Sequence, residues 1–148
     1  MQAWLDRTLS KAAALGIVAA VDAPGCLADV IVRVSGIESP RGHIGCALFA
    51  SEAGFPMDNS GRRLAWVGIE GQAATCRFND VPSGSYAVSV VHDLNDNRRL
   101  DANFLGIPTE PWGVSNNVRP RWRAPRFDES RFSVQGGDDV TIDVRVAP

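Results

Sequence analysis

Apolar and polar residues alternate in short stretches along most of the chain. The clearest stretch is Asp29–Gly36, in which Val30, Val32 and Val34 occupy every second position. A period of two residues predicts β-strands, because successive side chains of a strand point to opposite faces. The same pattern predicts five more strands, which are His43–Ala50, Gln72–Phe78, Tyr86–His92, Arg131–Gln135 and Val140–Val146.

Turn-forming residues separate these stretches. Asn79–Ser85 is predicted to be a tight turn, and Gly136–Asp139 a hairpin between the last two strands. Ser51–Arg63 is predicted to be a surface loop, whereas Leu64–Ile69 fits a short strand or one helical turn. Short strands without a long helical period predict an all-β fold. We expect a single antiparallel sandwich of the immunoglobulin-like or prealbumin-like kind, with about seven strands and a long loop after Tyr86–His92.

The first 28 residues have the pattern of an export signal. Basic residues precede the apolar run Ala12–Val21, which is too short to span a bilayer as a mature helix. We predict cleavage after Ala28, which leaves 29–148 as one sandwich domain in the periplasm or outside the cell. The alternative is an amphipathic helix that stays on the protein. Pro24 in Ala-Pro-Gly-Cys disfavours a lipid anchor at Cys26.

The composition of the chain limits the classes of molecule that it is expected to bind. The net charge is −2, and this near-neutral balance argues against a nucleic-acid partner. No later segment is apolar enough to cross a membrane. The ligand or protein partner stays unknown, and an envelope glycan or an envelope protein is a candidate.

Two cysteines remain if the signal is removed at the predicted position. Cys46 and Cys76 each lie on the apolar face of an alternating stretch, so both thiols are expected to face the core. In an oxidising compartment this arrangement favours a disulfide, and the alternative is two buried thiols that do not meet. A bridge closing a loop of roughly 30 residues would stabilise the fold by about 3–4 kcal/mol.

A polar loop after Tyr86–His92 has the spacing of a calcium site. With Asp93 as position one, oxygen-bearing side chains fall at positions one, three, five and nine, which are Asp93, Asn95, Asn97 and Asp101. Arg99 at position seven can offer its backbone carbonyl. Calcium takes six to eight oxygen ligands, and carboxylate and amide oxygens match that chemistry.

Two positions depart from the calcium-loop pattern. Arg98 stands at position six, where the pattern has Gly, and Phe104 stands at position twelve, where it has a bidentate Glu. Asn103 or Glu110 is a candidate substitute from further along the chain. Two carboxylates predict weak, roughly millimolar binding. The alternative is a polar turn whose Asp and Asn side chains cap their own backbone.

Arginines cluster around a tryptophan in Arg119–Arg126, RPRWRAPR. Arg121, Trp122 and Arg123 form a candidate site for a glycan or an anion, because guanidinium groups clamp anions and Trp stacks on sugars or cations. The alternative is a solvated segment whose arginines pair with neighbouring acids.

A hydrolase is the third candidate function. His92, Asp93 and Glu110 would supply a general base and carboxylates. The chain contains only two histidines and lacks a Gly-x-Ser-x-Gly sequence, and a disulfide would leave it no free thiol in the mature part. We therefore predict no enzymatic activity. Phe104-Leu105 and Trp112-Gly113 are expected to pack into the core and hold the long loop down.

Two stretches carry a family resemblance. Phe78–Val88, FNDVPSGSYAV, is similar to the turn and strand of prealbumin-like and carboxypeptidase-regulatory-like sandwiches, in which Gly makes the turn and Tyr pins the corner. With Tyr86–Asn117, the chain resembles the exported bacterial family catalogued as domain of unknown function 2141, over roughly Val30–Val146. That family usually carries Glu, Gly and Lys in the loop where this chain has Leu94, Asp96, Arg98 and Arg99. The resemblance implies an exported β-sandwich and no particular reaction.

Overall fold

The computed structural model describes residues 25–148, which form eight β-strands, one 3-10 turn and one short helix. The strands are β1 (Leu27–Ser35), β2 (His43–Phe49), β3 (Arg63–Val67), β4 (Ala74–Pro82), β5 (Gly84–Asp93), β6 (Trp112–Val114), β7 (Phe132–Val134) and β8 (Val140–Arg145). The 3-10 turn is Ser115–Asn117, and helix α1 is Phe127–Ser130. The strands form two sheets, which confirms the predicted all-β sandwich.

The smaller sheet contains three strands in the order β4, β1, β8. Strand β1 pairs antiparallel with β4 and parallel with β8. Arg33 on β1 donates two side-chain hydrogen bonds to Asp143 on β8, at 2.8 and 2.9 Å. This parallel pair differs from the antiparallel arrangement expected throughout, because alternation gives the faces of a strand but not its direction.

The larger sheet has the order β3, β2, β5, β6, and β7 pairs with the beginning of β5. Across β2 and β5, Cys46 lies opposite Val90 and Ala47 lies opposite Ser89. Cys46 and Val90 belong to the core, so Ala47 and Ser89 point to the other side of this sheet, which we call the outer face.

The core lies between the two sheets and consists mainly of valine. Val30, Val32 and Val34 of β1 are almost completely buried, as the alternation predicted. Each buried side chain of this kind contributes roughly 1.5–3 kcal/mol to folding. A disulfide between Cys46 on β2 and Cys76 on β4 links the two sheets, so the predicted bridge is present.

The chain passes from one sheet to the other at a tyrosine corner. The hydroxyl of Tyr86 donates a hydrogen bond of 3.0 Å to the carbonyl of Pro82, as the family resemblance implied. Gly84 leaves room for this ring, since a Cβ there would lie 3.2 Å from it. The turn predicted over Asn79–Ser85 is shorter than expected, because β4 keeps its pairing with β1 as far as Pro82.

The predicted hairpin at the end of the chain is wrong. Strand β7 pairs with β5 and β8 pairs with β1, so the two strands lie in different sheets. Gly136–Asp139 contains a turn, as expected, but this turn carries the chain from one sheet to the other. Turn residues predict a change of direction and leave the pairing partners undetermined.

The sequence pattern does not predict the shortest elements of the fold. The undecided stretch Leu64–Ile69 contains most of β3, which pairs with β2. Strand β6, the 3-10 turn and α1 have three or four residues each, too few to show a period.

The described residues begin inside the predicted export signal. Residues 1–24, which include the apolar run, lie outside the described part of the chain, so the signal stays a prediction. Strand β1 begins at Leu27, and Ala28 is buried opposite Val81, so the predicted cleavage point falls within this strand. Over residues 25–148, no helix is long and apolar enough to cross a membrane.

Candidate functional site

The long polar loop connects β5 to β6 and starts at a buried carboxylate. Asp93 is the last residue of β5 and is only 1% exposed. Gly42 lies against its backbone, where a Cβ would be 1.8 Å from the Asp93 carbonyl oxygen, so only glycine fits there. The beginning of the loop is therefore held tightly against the β1–β2 connection.

Side-chain oxygens curl the backbone of the loop. The carboxylate of Asp93 accepts backbone N–H bonds from Asn97 at 3.2 Å and from Arg98 at 2.7 Å. The side-chain oxygen of Asn95 accepts the N–H of Asn97, and that of Asn97 accepts the N–H of Arg99. These are the Asx-type bonds expected of a polar turn that caps its own backbone.

Asp101 brings the remaining candidate side chains together. Its carboxylate accepts side-chain bonds from Asn95 at 2.6 Å and from Asn97 at 2.8 and 2.9 Å. Asp93 is bonded to the backbone of the same Asn97. The four side chains predicted from their spacing are thus neighbours in the fold, with Arg99 beside them through its backbone N–H.

Arg98 occupies the position at which the calcium pattern has glycine. Its φ of 60° is left-handed, and Asp96 is also left-handed at 59°. The Arg98 guanidinium lies 5.8 Å from the ring centre of Trp66 on β3, and Asp96 contacts His43 at 2.5 Å. Both side chains have partners outside the loop, so the curled conformation is kept without glycine.

Glu110 closes the loop from its far end. It is 5% exposed, and its two oxygens accept the backbone N–H groups of Leu94 at 2.9 Å and of Asp101 at 3.2 Å. Thr109 donates backbone and side-chain bonds to the carbonyl of Asp101. Glu110 therefore ties the two ends of the polar segment together, although it stands far from position twelve in sequence.

Amide groups are indispensable to any cation site in this loop. Within residues 25–148, no three His, Cys, Asp or Glu side chains form a group able to hold a metal ion. The ligands would have to include the Asn95 and Asn97 oxygens, each of which has a second lone pair beside the N–H bond it accepts. The donor set is all oxygen, as a hard cation requires.

The residues proposed for a hydrolase do not form a reactive group. His92 is buried, and its Nε2 lies 2.8 Å from the carbonyl of Arg41, to which it can only donate. The carboxylates of Asp93 and Glu110 are occupied by backbone N–H groups. No hydrogen bond joins His92 to either carboxylate in the described part of the chain.

The arginine-rich segment divides into paired and unpaired residues. Arg123 donates two hydrogen bonds to Glu129, at 2.8 and 2.5 Å, as the solvated-segment alternative expected. Together with the N–H of Arg126, this pairing lowers the pKa of Glu129 from 4.5 to about 2. Arg121 has no such partner among residues 25–148, and Trp122 is 93% exposed.

Arg119 has a structural position in the same segment. Its guanidinium donates to the backbone carbonyls of Trp112, Ala147 and Pro148. It also stacks on the ring of Trp112 at 4.3 Å from the ring centre. Arg119 therefore fastens the segment to the end of the sheet.

A groove of about 1060 Å³ lies over the outer face of the larger sheet. The segment of Arg121, Trp122 and Arg123 forms one side of it, and Leu105 and Ile107 of the long loop lie on its lining. The prediction that Phe104 and Leu105 are core residues is wrong, since they are 95% and 68% exposed. They lie at the tip of the loop. The loop is held in place by Glu110 and the Asx-type bonds instead of by a hydrophobic anchor.

Sequence reasoning missed most of the groove. Met57, Leu64 and Trp66 also line it, and they come from the loop before β3 and from β3 itself. The apolar run Phe-Leu-Gly-Ile-Pro inside a polar loop is the available signal, but the same run also predicts packing into the core. Trp112, also expected in the core, is half-buried at the groove.

Fold and loop together define a class of protein: a two-sheet, all-β sandwich with a long Asp- and Asn-rich loop beside an open groove. The chain belongs to the bacterial family described as "Uncharacterized protein conserved in bacteria (DUF2141)", whose model matches residues 32–143. This match confirms the suspected resemblance. Comparison with curated proteins and with solved structures found no match.

Proposed function

We propose that this protein is an exported, non-enzymatic β-sandwich with a binding or structural role, and that a weakly bound calcium ion organises its long loop. The observation that carries the proposal is the convergence of Asn95 and Asn97 on Asp101, next to Asp93. The amide N–H groups of Asn95 and Asn97 donate to Asp101, so four oxygen-bearing side chains are neighbours in one part of the loop. Two carboxylates favour an affinity in the roughly millimolar range.

Export to the periplasm or the cell exterior is supported by two observations. The disulfide between Cys46 and Cys76 fits an oxidising compartment, because such bridges persist there. The basic and apolar pattern before residue 28 fits a signal that is removed. The hydrolase has less support, since His92 and Glu110 are bonded to backbone groups.

Thermal unfolding with and without calcium tests the proposal. At about 10 mM calcium, some ten times the dissociation constant expected, binding should add about 1.4 kcal/mol and raise the melting temperature by a few degrees. The reference sample contains chelator and sodium chloride of matched ionic strength. Asp93→Asn and Asp101→Asn should each abolish the calcium-dependent shift, whatever they do to stability itself.

Asp138→Asn is the matched control, because Asp138 is an exposed carboxylate in the Gly136–Asp139 turn. It should keep the full shift. If calcium has no effect on the wild-type protein at this concentration, the loop is a self-capped polar turn and the calcium proposal fails.

Anion or glycan binding at Arg121 and Trp122 is a second candidate function. It is favoured by the exposure of Trp122 and by the position of both residues on the groove. Arg123 contributes less than expected from the sequence, because Glu129 neutralises it.

A further inference from the structure

The floor of the groove consists of small side chains on the outer face. Gly45, Ala47 and Ser89 lie there on β2 and β5, with Ala47 directly opposite Ser89. The ring of Trp66 lies directly over Gly45, where a Cβ would approach it to 2.5 Å. Small residues on the floor and larger ones at the sides make the face concave. Its volume of about 1060 Å³ is slightly above the range of roughly 300–1,000 Å³ for small-molecule sites.

Exposed apolar side chains gather around this groove. Among residues 25–148, the large apolar side chains that are exposed number seven, and five of them line it: Met57, Leu64, Leu105, Ile107 and Trp122. Single exposed apolar residues are normal on a surface, whereas a cluster around one concavity marks a binding site. The apolar lining is mainly aliphatic.

The charges on the lining have one sign. Arg99, Arg119, Arg121 and Arg123 line the groove, and no Asp or Glu side chain of residues 25–148 does. Arg119 and Arg123 are engaged by backbone carbonyls and by Glu129. The side chains of Arg99 and Arg121 make no hydrogen bond or ion pair with the described residues, so two guanidinium groups are free to meet a ligand.

We propose that the groove binds a single-chain amphiphile with an anionic head group, the acyl chain lying among Leu105, Ile107 and Trp122 and the head group meeting Arg121. This inference deepens the second proposed function, anion binding, by naming the ligand class. A neutral sugar fits less well, because sugar sites use carboxylates and amides. Within the described part of the chain, the uncharged polar side chains of the lining are those of Asn59, Ser60 and Ser89. An acyl chain matches the aliphatic lining, and a carboxylate matches the unpaired arginines.

Calorimetric titration with dodecanoate, below its micelle concentration, tests the inference on the purified protein. Chelator is present throughout, because calcium precipitates long-chain carboxylates, and this keeps the test independent of the calcium loop. We expect saturable one-site binding, and much weaker binding of dodecyltrimethylammonium, which has the same chain and the opposite charge. Trp66, Trp112 and Trp122 line the groove, so tryptophan fluorescence should change with the same dissociation constant.

Single substitutions on and off the groove lining test where the ligand binds. Arg121→Glu should weaken dodecanoate binding about tenfold, and Trp122→Ala about fivefold. Arg41→Glu makes the same charge change on an exposed arginine off the lining, and Phe104→Ala removes an exposed aromatic residue off the lining. Both control variants should bind dodecanoate as the wild-type protein does.

Three outcomes would overturn the inference, and each is distinct. Equal binding of the cationic and anionic probes would remove any role for Arg121 and would end the anion-binding proposal as well. Binding of a sulfated oligosaccharide, lost in Arg121→Glu, without binding of dodecanoate would leave anion binding and exclude the amphiphile. Binding only to phosphatidylglycerol vesicles, weakened by Phe104→Ala, would make the patch a membrane-docking surface.

Discussion

Arg98 shows how a single residue keeps a tight turn that glycine would normally make. A left-handed residue other than glycine costs roughly 1–2 kcal/mol. An Arg stacked on a Trp ring stabilises a protein by roughly 0.5–1 kcal/mol at an exposed site. Trp66 provides the ring for Arg98. The stack therefore offsets about half of the cost of the left-handed conformation. The sequence could not have predicted this contact, because Trp66 lies on a different strand.

Two substitutions of Arg98 distinguish the cost of its left-handed backbone from the benefit of its stacking on Trp66. Arg98→Ala removes the stack and keeps the φ of 60°, whereas Arg98→Gly removes both the stack and the strain. We expect the glycine variant to be the more stable by about 1 kcal/mol, measured by urea unfolding. Equal stability of the two variants would mean that the loop does not hold this conformation in solution.

Glu129, in α1, makes a pH-dependent contact with Arg123. Its pKa is about 2 because Arg123 and the N–H of Arg126 favour the carboxylate. The folded pKa is below the ordinary value of 4.5, so the contact favours folding above about pH 4.5 and is lost as the pH falls towards 2. In an NMR titration, Arg123→Ala should raise the pKa of Glu129 towards 4.5, while Arg121→Ala should leave it unchanged. An unshifted value in Arg123→Ala would contradict the pairing.

At the scale of elements, the buried face of a strand was predictable from the sequence, whereas the strands with which it pairs were not. Val30, Val32 and Val34 identified the buried face of β1 because alternation is a local property of the chain. The parallel pairing of β1 with β8 depends on contacts between residues about 110 positions apart, such as Arg33 and Asp143. No local pattern contains that information, and the wrong hairpin between β7 and β8 has the same cause.

The disulfide between the two sheets is a covalent contact at the scale of elements. Cys46 and Cys76 are separated by 30 residues, and closing a loop of that length stabilises a protein by about 3–4 kcal/mol. The double variant Cys46→Ala/Cys76→Ala should lose about this much in denaturant unfolding under oxidising conditions. Unfolding of the wild-type protein under reducing conditions is the control, and it should show a similar loss. A loss below about 1 kcal/mol would contradict the expected role of the bridge.

At the scale of the whole molecule, the two candidate sites differ in how far the sequence could reveal them. The polar loop is continuous in sequence. Its residues could therefore be predicted from their spacing, and they are Asp93, Asn95, Asn97 and Asp101. The groove joins segments that are far apart, from Met57 to Trp122, and only the fold brings them together. The residue types on its arginine side were predictable from the sequence, but no local pattern could show that Leu105 faces the same space.

The adjacency of the first and last strands also bears on how fast the protein folds. Strand β1 is the central strand of the three-stranded sheet, and one of its two neighbours is β8. That sheet cannot be completed until the chain has been synthesised as far as β8, and its long-range pairing carries a large entropy of loop closure. Proteins dominated by such distant contacts fold in milliseconds to seconds, slower than helical bundles. During that interval β1 keeps an unpaired edge, which another extended chain can occupy.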